Sequence, residues 1–293
     1  MKKKKRIKKL PLLFLILIIL IQFIIFINKD NKKEKTENIK KTTTKETVKE
    51  ENTLENKLKK EKYYINNNLD RYLKYYENHN DLSLDKIIAN VNSNLDKTRY
   101  EDTKETDISK NELMLVNKYY YLTENYIPND LIVLNSKYNT GVNSNMRKIA
   151  ADAFMEMSDA ALLDNIIIKN ASAYRSYNYQ VNLYNNYVQR DGKEAADTYS
   201  ARPGFSEHQT GLASDINLVD SSFENTDAFK WLDKNAYKYG FILRFPKDKE
   251  DITGYKYESW HYRYVGKDIA KKIKEENLTL EEYYAYYVEK NWQ

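Results

Sequence analysis

Two of the three histidines of this 293-residue chain keep acidic company: His208 stands seven residues before Asp215 in FSEHQTGLASDI, and His261 three residues after Glu258 in ESWH. Imidazole nitrogens and carboxylates are donors that zinc accepts. A hydrolytic site on such an ion needs three protein ligands, an open fourth position and a carboxylate near the water to be activated. Neither pair is diagnostic alone, because most histidines are surface or satisfied core residues and 31% of this chain is charged. His79, in the polar stretch ENHND, is read as surface.

An odd separation of seven would put His208 and Asp215 on opposite faces of a continuous strand. They converge only if the chain bends between them, and Gly211 is placed to allow it. Ala213 and Ser214 leave room beside an ion. Glu258 and His261, three apart, cannot share a face of a regular strand either, so a turn or irregularity is expected at Glu258.

The elements that must position these residues follow from hydrophobic period and turn signals. IIIKNASAY (166–174) reads as a buried strand, and LASDINLV (212–219), FILRF (241–245) and WHYRYV (260–265) as further strands. In MRKIAADAFMEMSDAALLD the residues Ile149, Ala150, Ala153, Phe154, Met157, Ala160 and Ala161 line one helical face. SYNYQVNLYNNYVQR is helical through Leu183, Tyr184, Tyr187 and Val188, and a helix around FKWLDKNAYKYG closes at Gly240. TLEE at 279–282 matches a capping box. Residues 113–293 thus predict a single α+β domain, a small antiparallel sheet flanked by helices, large enough for one core.

Ahead of it, MKKKKRIKK leads into an almost unbroken apolar run over residues 10–27. About 18 residues of helix reach the thickness of a hydrocarbon core, and no small-residue cleavage site follows. With seven Lys and Arg in front, residues 1–28 read as a cytoplasmic basic segment and an uncleaved transmembrane anchor, leaving the remainder extracellular. Residues 29–60 are a charged tether too poor in apolar side chains to fold. Residues 61–112 form a helical neck, with Leu84, Ile87, Ile88 and Val91 at helical spacing. The chain has no cysteine, hence neither a lipidation thiol nor a disulfide framework. Its net charge of +5 belongs to the first nine residues: without their seven positive charges, 41 Lys and Arg face 43 Asp and Glu, and a nucleic-acid partner loses its support. The 27 tyrosines are scattered as compositional bias rather than as a glycan-stacking surface.

Taken together, SEHQTGLASD (206–215), ESWH (258–261) and YRSYNYQ (174–180) resemble, in order, three signatures of the VanY-type D-alanyl-D-alanine carboxypeptidases, and the similarity runs from about residue 115 to 283. Ser259 stands where many relatives have proline. The resemblance implies one zinc ion per chain bound by His208, Asp215 and His261, with Glu258 as general base. It also makes Arg175 the group that meets the substrate carboxylate or oxyanion, with Gln180 and Ser206 as neutral donors beside it. Arg175 could instead be a surface ion pair, Gln180 a helix-face residue and Ser206 a loop-stabilising hydroxyl. Arg202 and Tyr174 are read as structural, and Trp260 as core. The implied activity is removal of the C-terminal D-alanine from peptidoglycan stem peptides. The alternatives are L,D-carboxypeptidase action on the tetrapeptide, or a peptidoglycan-binding module without turnover.

Overall fold

The computed structural model describes residues 53–288 and six isolated positions before them, 22, 28, 29, 32, 33 and 35. The chain divides into two compact units, one up to Glu61 and one from Lys62 onward. In the first, Leu54–Leu58 is a short helix whose N-cap, Thr53, accepts from the Asn56 amide. The membrane span expected over 10–27 lies, Gln22 apart, outside the described residues. Among the described residues no helix is long and apolar enough to cross a membrane.

The second unit is α+β. Its centre, among the described residues, is a five-stranded sheet of β1 (Asn139–Asn143), β2 (Asn170–Ser172), β3 (Ala213–Ile216), β4 (Phe241–Leu243) and β5 (His261–Tyr264), in the order β1-β2-β3-β5-β4. Three of the four pairings are antiparallel, but β1 runs parallel to β2, so the sheet is mixed and not wholly antiparallel as expected. The cause is the connection: after β1 the chain makes a short strand and then the 16-residue helix α3 (Lys148–Leu163). A crossover of that length can return the next strand in the same direction.

Helix α3 forms because an alanine-rich run carries a consistent apolar stripe. Ala150, Ala153, Phe154, Met157 and Ala161 pack into the main core with Ile216, Phe241, Tyr262 and Tyr264 from the sheet. The strand expected over 166–174 shrinks to three residues. Ile166 donates its amide back to Ala161 O, finishing the helix, and Ile167 is exposed. Helix α4 (Tyr177–Asp191) starts at Ser176, whose hydroxyl accepts from the Tyr179 amide. Helix α5 (Asp227–Asn235) passes through a tight turn of helix to Gly240 at φ +86°, the expected stop.

A second, smaller core joins Leu115, Ile242 and Val265 to α6 (Lys267–Glu276), α7 (Leu280–Tyr283) and the last described turn, through Ala270, Ile273, Leu280, Tyr284 and Val288. The capping box at Thr279 and Glu282 is formed. Helices α1 (Leu69–Asn78) and α2 (Leu84–Asn92) belong to the same unit, and Lys86 of α2 reaches Glu282 at 3.3 Å.

Candidate metal centre

The register of the sheet does the first part of the assembly. Asp215 on β3 lies directly opposite His261 on β5, and Ser172 at the end of β2 lies opposite Asp215. Cross-strand partners hold their Cβ atoms about 5 Å apart, so two potential ligands meet without a loop having to place them.

His208 arrives from a different element. It sits on a short 3-10 turn, Glu207–Thr210, which ends at Gly211 in the left-handed conformation (φ +68°, ψ 12°) before β3 begins. A side chain at 211 would meet Leu131 Cδ2 at 2.9 Å and Arg147 Cγ at 3.0 Å. The bend expected between His208 and Asp215 is this turn. Likewise Glu258 and His261 are joined by a tight turn through Ser259 and Trp260, closed by the His261 amide donating to Glu258 O at 3.4 Å. Ser259 is completely buried.

The side chains of His208, Asp215 and His261 are buried and offer ligand atoms all within 4.8 Å of one another. His208 Nδ1 lies 2.6 Å from Ala173 O, which fixes the ring and leaves Nε2 facing Asp215 Oδ2 at 3.4 Å. His261 Nδ1 faces Asp215 Oδ1 at 3.1 Å and Glu258 Oε2 at 3.7 Å. An ion with bonds of about 2.0 Å to a tetrahedral donor set separates its ligands by roughly 3.3 Å. Two imidazole nitrogens and a carboxylate at these spacings fit divalent zinc in both donor chemistry and size.

Burial and the Arg175 charge hold the His208 imidazole down to about 4, against the opposing pull of Asp215, so it is neutral and able to ligate at pH 7. Burial also opposes a charge on His261. Its hydrogen bond to Asp215 and the nearby carboxylates of Glu207 and Glu258 outweigh that and raise it to about 9. Glu258 is pushed up to about 7, chiefly by burial and further by the Asp215 charge, with His261 and Arg175 pulling the other way. Its side chain is still 13% exposed, so solvent in the cleft reaches it.

Arg175 lies where the chain leaves β2. Its amide donates to His208 O at 3.2 Å, its Nε donates to Ser172 Oγ at 3.1 Å, and its Nη2 donates to Asp215 Oδ2. It is therefore part of the cluster and not a surface ion pair. Gln180, on α4, is buried with Nε2 donating to Ala201 O at 2.7 Å, while Oε1 is buried with no hydrogen-bond partner among the described residues. One N–H of Gln180 is thus committed to Ala201 O, while its Oε1 lies buried beside the cleft. Ser206 stands at the N-cap position of the turn that carries His208, with no capping hydrogen bond from its hydroxyl. All seven expected residues line one cleft of about 340 Å³, together with Tyr187, Tyr199, Phe245, Tyr255, Lys256, Tyr257 and Trp260. Trp260 is thus half-buried and shared between core and cleft. Arg202 clamps Asp197 with two hydrogen bonds and stacks over Tyr100, a structural role. His79 stacks on Tyr75, away from the cleft.

Sequence reasoning missed a buried charge cluster behind the ligands. Glu207 Oε1 accepts from Arg244 Nε at 2.8 Å and Arg263 Nη1 at 2.9 Å, and Arg244 forks onto Glu281 at 2.6 and 2.9 Å. One signal was available: Arg263 follows His261 by two in a strand, which sends both side chains to the same face.

A family model described as VanY, D-alanyl-D-alanine carboxypeptidase, matches residues 143–267. A Bacillus subtilis (strain 168) protein named "Putative carboxypeptidase YodJ" is 44% identical over 210 residues, 67% of this chain and 77% of that one. Among solved structures, the LdcB LD-carboxypeptidase is similar at 43% identity and a TM-score of 0.60, over 64% of this chain and 92% of that one. A zinc-bound variant of the vancomycin-resistance D,D-pentapeptidase VanY, from a VanB-type cassette, is similar at 36% identity and a TM-score of 0.51, over 59% of this chain and 98% of that one.

Proposed function

The chain belongs to the VanY family of D-alanyl-D-alanine carboxypeptidases, and on that premise we propose that it is a zinc-dependent peptidase that removes the C-terminal D-alanine from peptidoglycan stem peptides. The observation that carries this is the meeting of His208, Asp215 and His261 in one cleft with Glu258 at the edge and Arg175 in the wall. Zinc held by those three residues would supply a positive centre that acidifies a water and polarises the scissile carbonyl.

The remaining work falls to the chain's own groups. Arg175 presents a planar fork to the free carboxylate of the substrate, which selects a chain end over an internal bond. Glu258 takes a proton from the attacking water as its oxygen adds to the carbonyl carbon. The C–N bond then breaks, and Glu258 returns the proton to the leaving amine of D-alanine. The cleft wall also carries Tyr187, Tyr199, Phe245, Tyr255, Tyr257 and Trp260, an apolar surface for the rest of the stem peptide.

A second reading, L,D-carboxypeptidase action on the stem tetrapeptide, is favoured by one observation: the likeness to the LdcB LD-carboxypeptidase exceeds that to the D,D-pentapeptidase in both identity and TM-score. The deciding experiment incubates the full chain with stem pentapeptide and tetrapeptide side by side. Release of one D-alanine from the pentapeptide, abolished by a chelator and restored by zinc, is expected. Preference for the tetrapeptide selects the second reading, and release indifferent to chelation counts against both. Anchoring through residues 10–27 with the catalytic unit outside the cell completes the proposal. It rests on the apolar run and the seven positive charges before it. Protease added to intact cells should release the catalytic unit, and full protection would overturn the topology.

A further inference from the structure

His261 shows one nitrogen to the cleft and the other to the protein interior. Nε2 is buried and has no hydrogen-bond partner among the described residues. The atom facing it is Glu207 Oε2, 3.7 Å away, which is also buried and also without a partner among the described residues. A donor and an acceptor left facing each other across that gap need to close by only about 0.8 Å to reach an ordinary hydrogen bond. Leaving both unmet in the interior is costly.

Glu207 is not free to turn elsewhere. Its other oxygen holds the guanidinium groups of Arg244 and Arg263, both wholly buried. Arg263 is itself tied by Nη2 to Glu112 O and Met114 O, and Arg244 by its fork to Glu281. Two carboxylates and two guanidinium groups make the cluster electrically neutral, so it has no need of a further cation for charge balance. What remains unspent on Glu207 is Oε2, which faces one imidazole. His261 is packed between Phe245 and His208, with both ring centroids 4.9 Å from its own, so its plane has little room to tip.

We propose that Glu207 is a positioning residue for the metal centre: it accepts the Nε2 proton of His261, fixing the tautomer whose Nδ1 lone pair faces His208 and Asp215. The two histidines are then steadied differently. His208 leans on a backbone carbonyl at Ala173, whereas His261 leans on a carboxylate clamped by two buried arginines. Outer partners of this kind orient a ligand, and their loss weakens metal affinity by about 10- to 100-fold.

The inference rests on zinc binding at the three ligands, and its test separates the two claims. Zinc affinity of the full chain is measured by competition with a chromophoric chelator for wild type, Glu207→Gln and Glu281→Gln. Glu281→Gln removes the same charge from the same cluster without touching His261. Both variants are expected to melt lower, but only Glu207→Gln should lose about 10- to 100-fold in affinity, with Glu281→Gln within about 3-fold of wild type. Equal losses in both, or none in Glu207→Gln, would overturn the role of Glu207 while leaving the metal site standing. A wild type that binds no zinc overturns both. Should Glu207→Gln fail to fold, nitrogen-15 spectra of the zinc-loaded wild type decide the matter. A protonated Nε2 on His261 is expected, and a protonated Nδ1 would refute it.

Discussion

At the scale of single residues, Glu258 and His261, three positions apart, are proposed to carry opposite duties, base and ligand. Burial raises Glu258 to about 7, which suits a group that must take a proton and give it back near neutral pH. Replacing it with Gln keeps the shape and removes the base: turnover should fall by at least about 100-fold while zinc binding persists. Turnover within a few-fold of wild type would place the base elsewhere. His261 is raised to about 9, so the nitrogen proposed to ligate still carries a proton at neutral pH. Below that pH, zinc has to displace the proton, so apparent affinity should climb as pH rises toward about 9. At pH 8, where His208 is neutral and Glu258 mostly ionised, about one proton should be released per zinc bound. Calorimetry in buffers of different ionisation enthalpy measures that number, and zero release would contradict the assignment. The residues proposed as ligands, base and arginine all lie in three short motifs, and the structure brings them to one cleft. What Glu207 touches was not legible, because a single glutamate in a motif gives no sign of what its second oxygen faces. That one N–H of Gln180 is held by Ala201 O was not visible either, because the partner lies elsewhere in the sequence.

At the scale of elements, the centre depends on two bends and one register. The bend at Gly211 was legible, since only a break in the strand could reconcile a separation of seven with a shared site. Gly211→Ala forces a left-handed residue with a side chain against Leu131 and Arg147. A cost of about 1–3 kcal/mol is expected, with weakened zinc binding, because the turn carrying His208 must shift. Thermal melts and the same chelator competition measure both, and a stability within about 0.5 kcal/mol of wild type would mean the bend is not strained by a side chain. Less legible was the strand at 166–174, where three isoleucines in a row suggest β structure. Asn165 adopts φ +61° and the run begins by closing α3, so local propensity lost to the geometry of the helix end. Ile149 failed similarly: its period was right, but in the first turn of α3 it stays 41% exposed. The parallel pairing of β1 and β2 was invisible because β1, rich in Asn and Gly, carries no apolar alternation.

At the scale of the molecule, the buried cluster of Glu207, Arg244, Arg263 and Glu281 ties the turn bearing His208, strand β5, the segment after β4 and helix α7 into one body. Removing one partner leaves buried charge uncompensated. Arg244→Met should therefore destabilise the chain by about 3–5 kcal/mol, a loss read by denaturant unfolding, and a change under 1 kcal/mol would show that the cluster contributes little. The fold class was legible from alternating helix and strand periods. The role of the C-terminal segment was not, because it depends on Glu281 meeting arginines far away in the sequence.

The most direct measurement is anomalous scattering at the zinc edge from crystals of the full chain grown with zinc. One peak is predicted, about 2.0–2.2 Å from His208 Nε2, an Asp215 carboxylate oxygen and His261 Nδ1, with Glu258 nearby but not bound. No peak among these three side chains, or an ion held through His261 Nε2, would contradict the account.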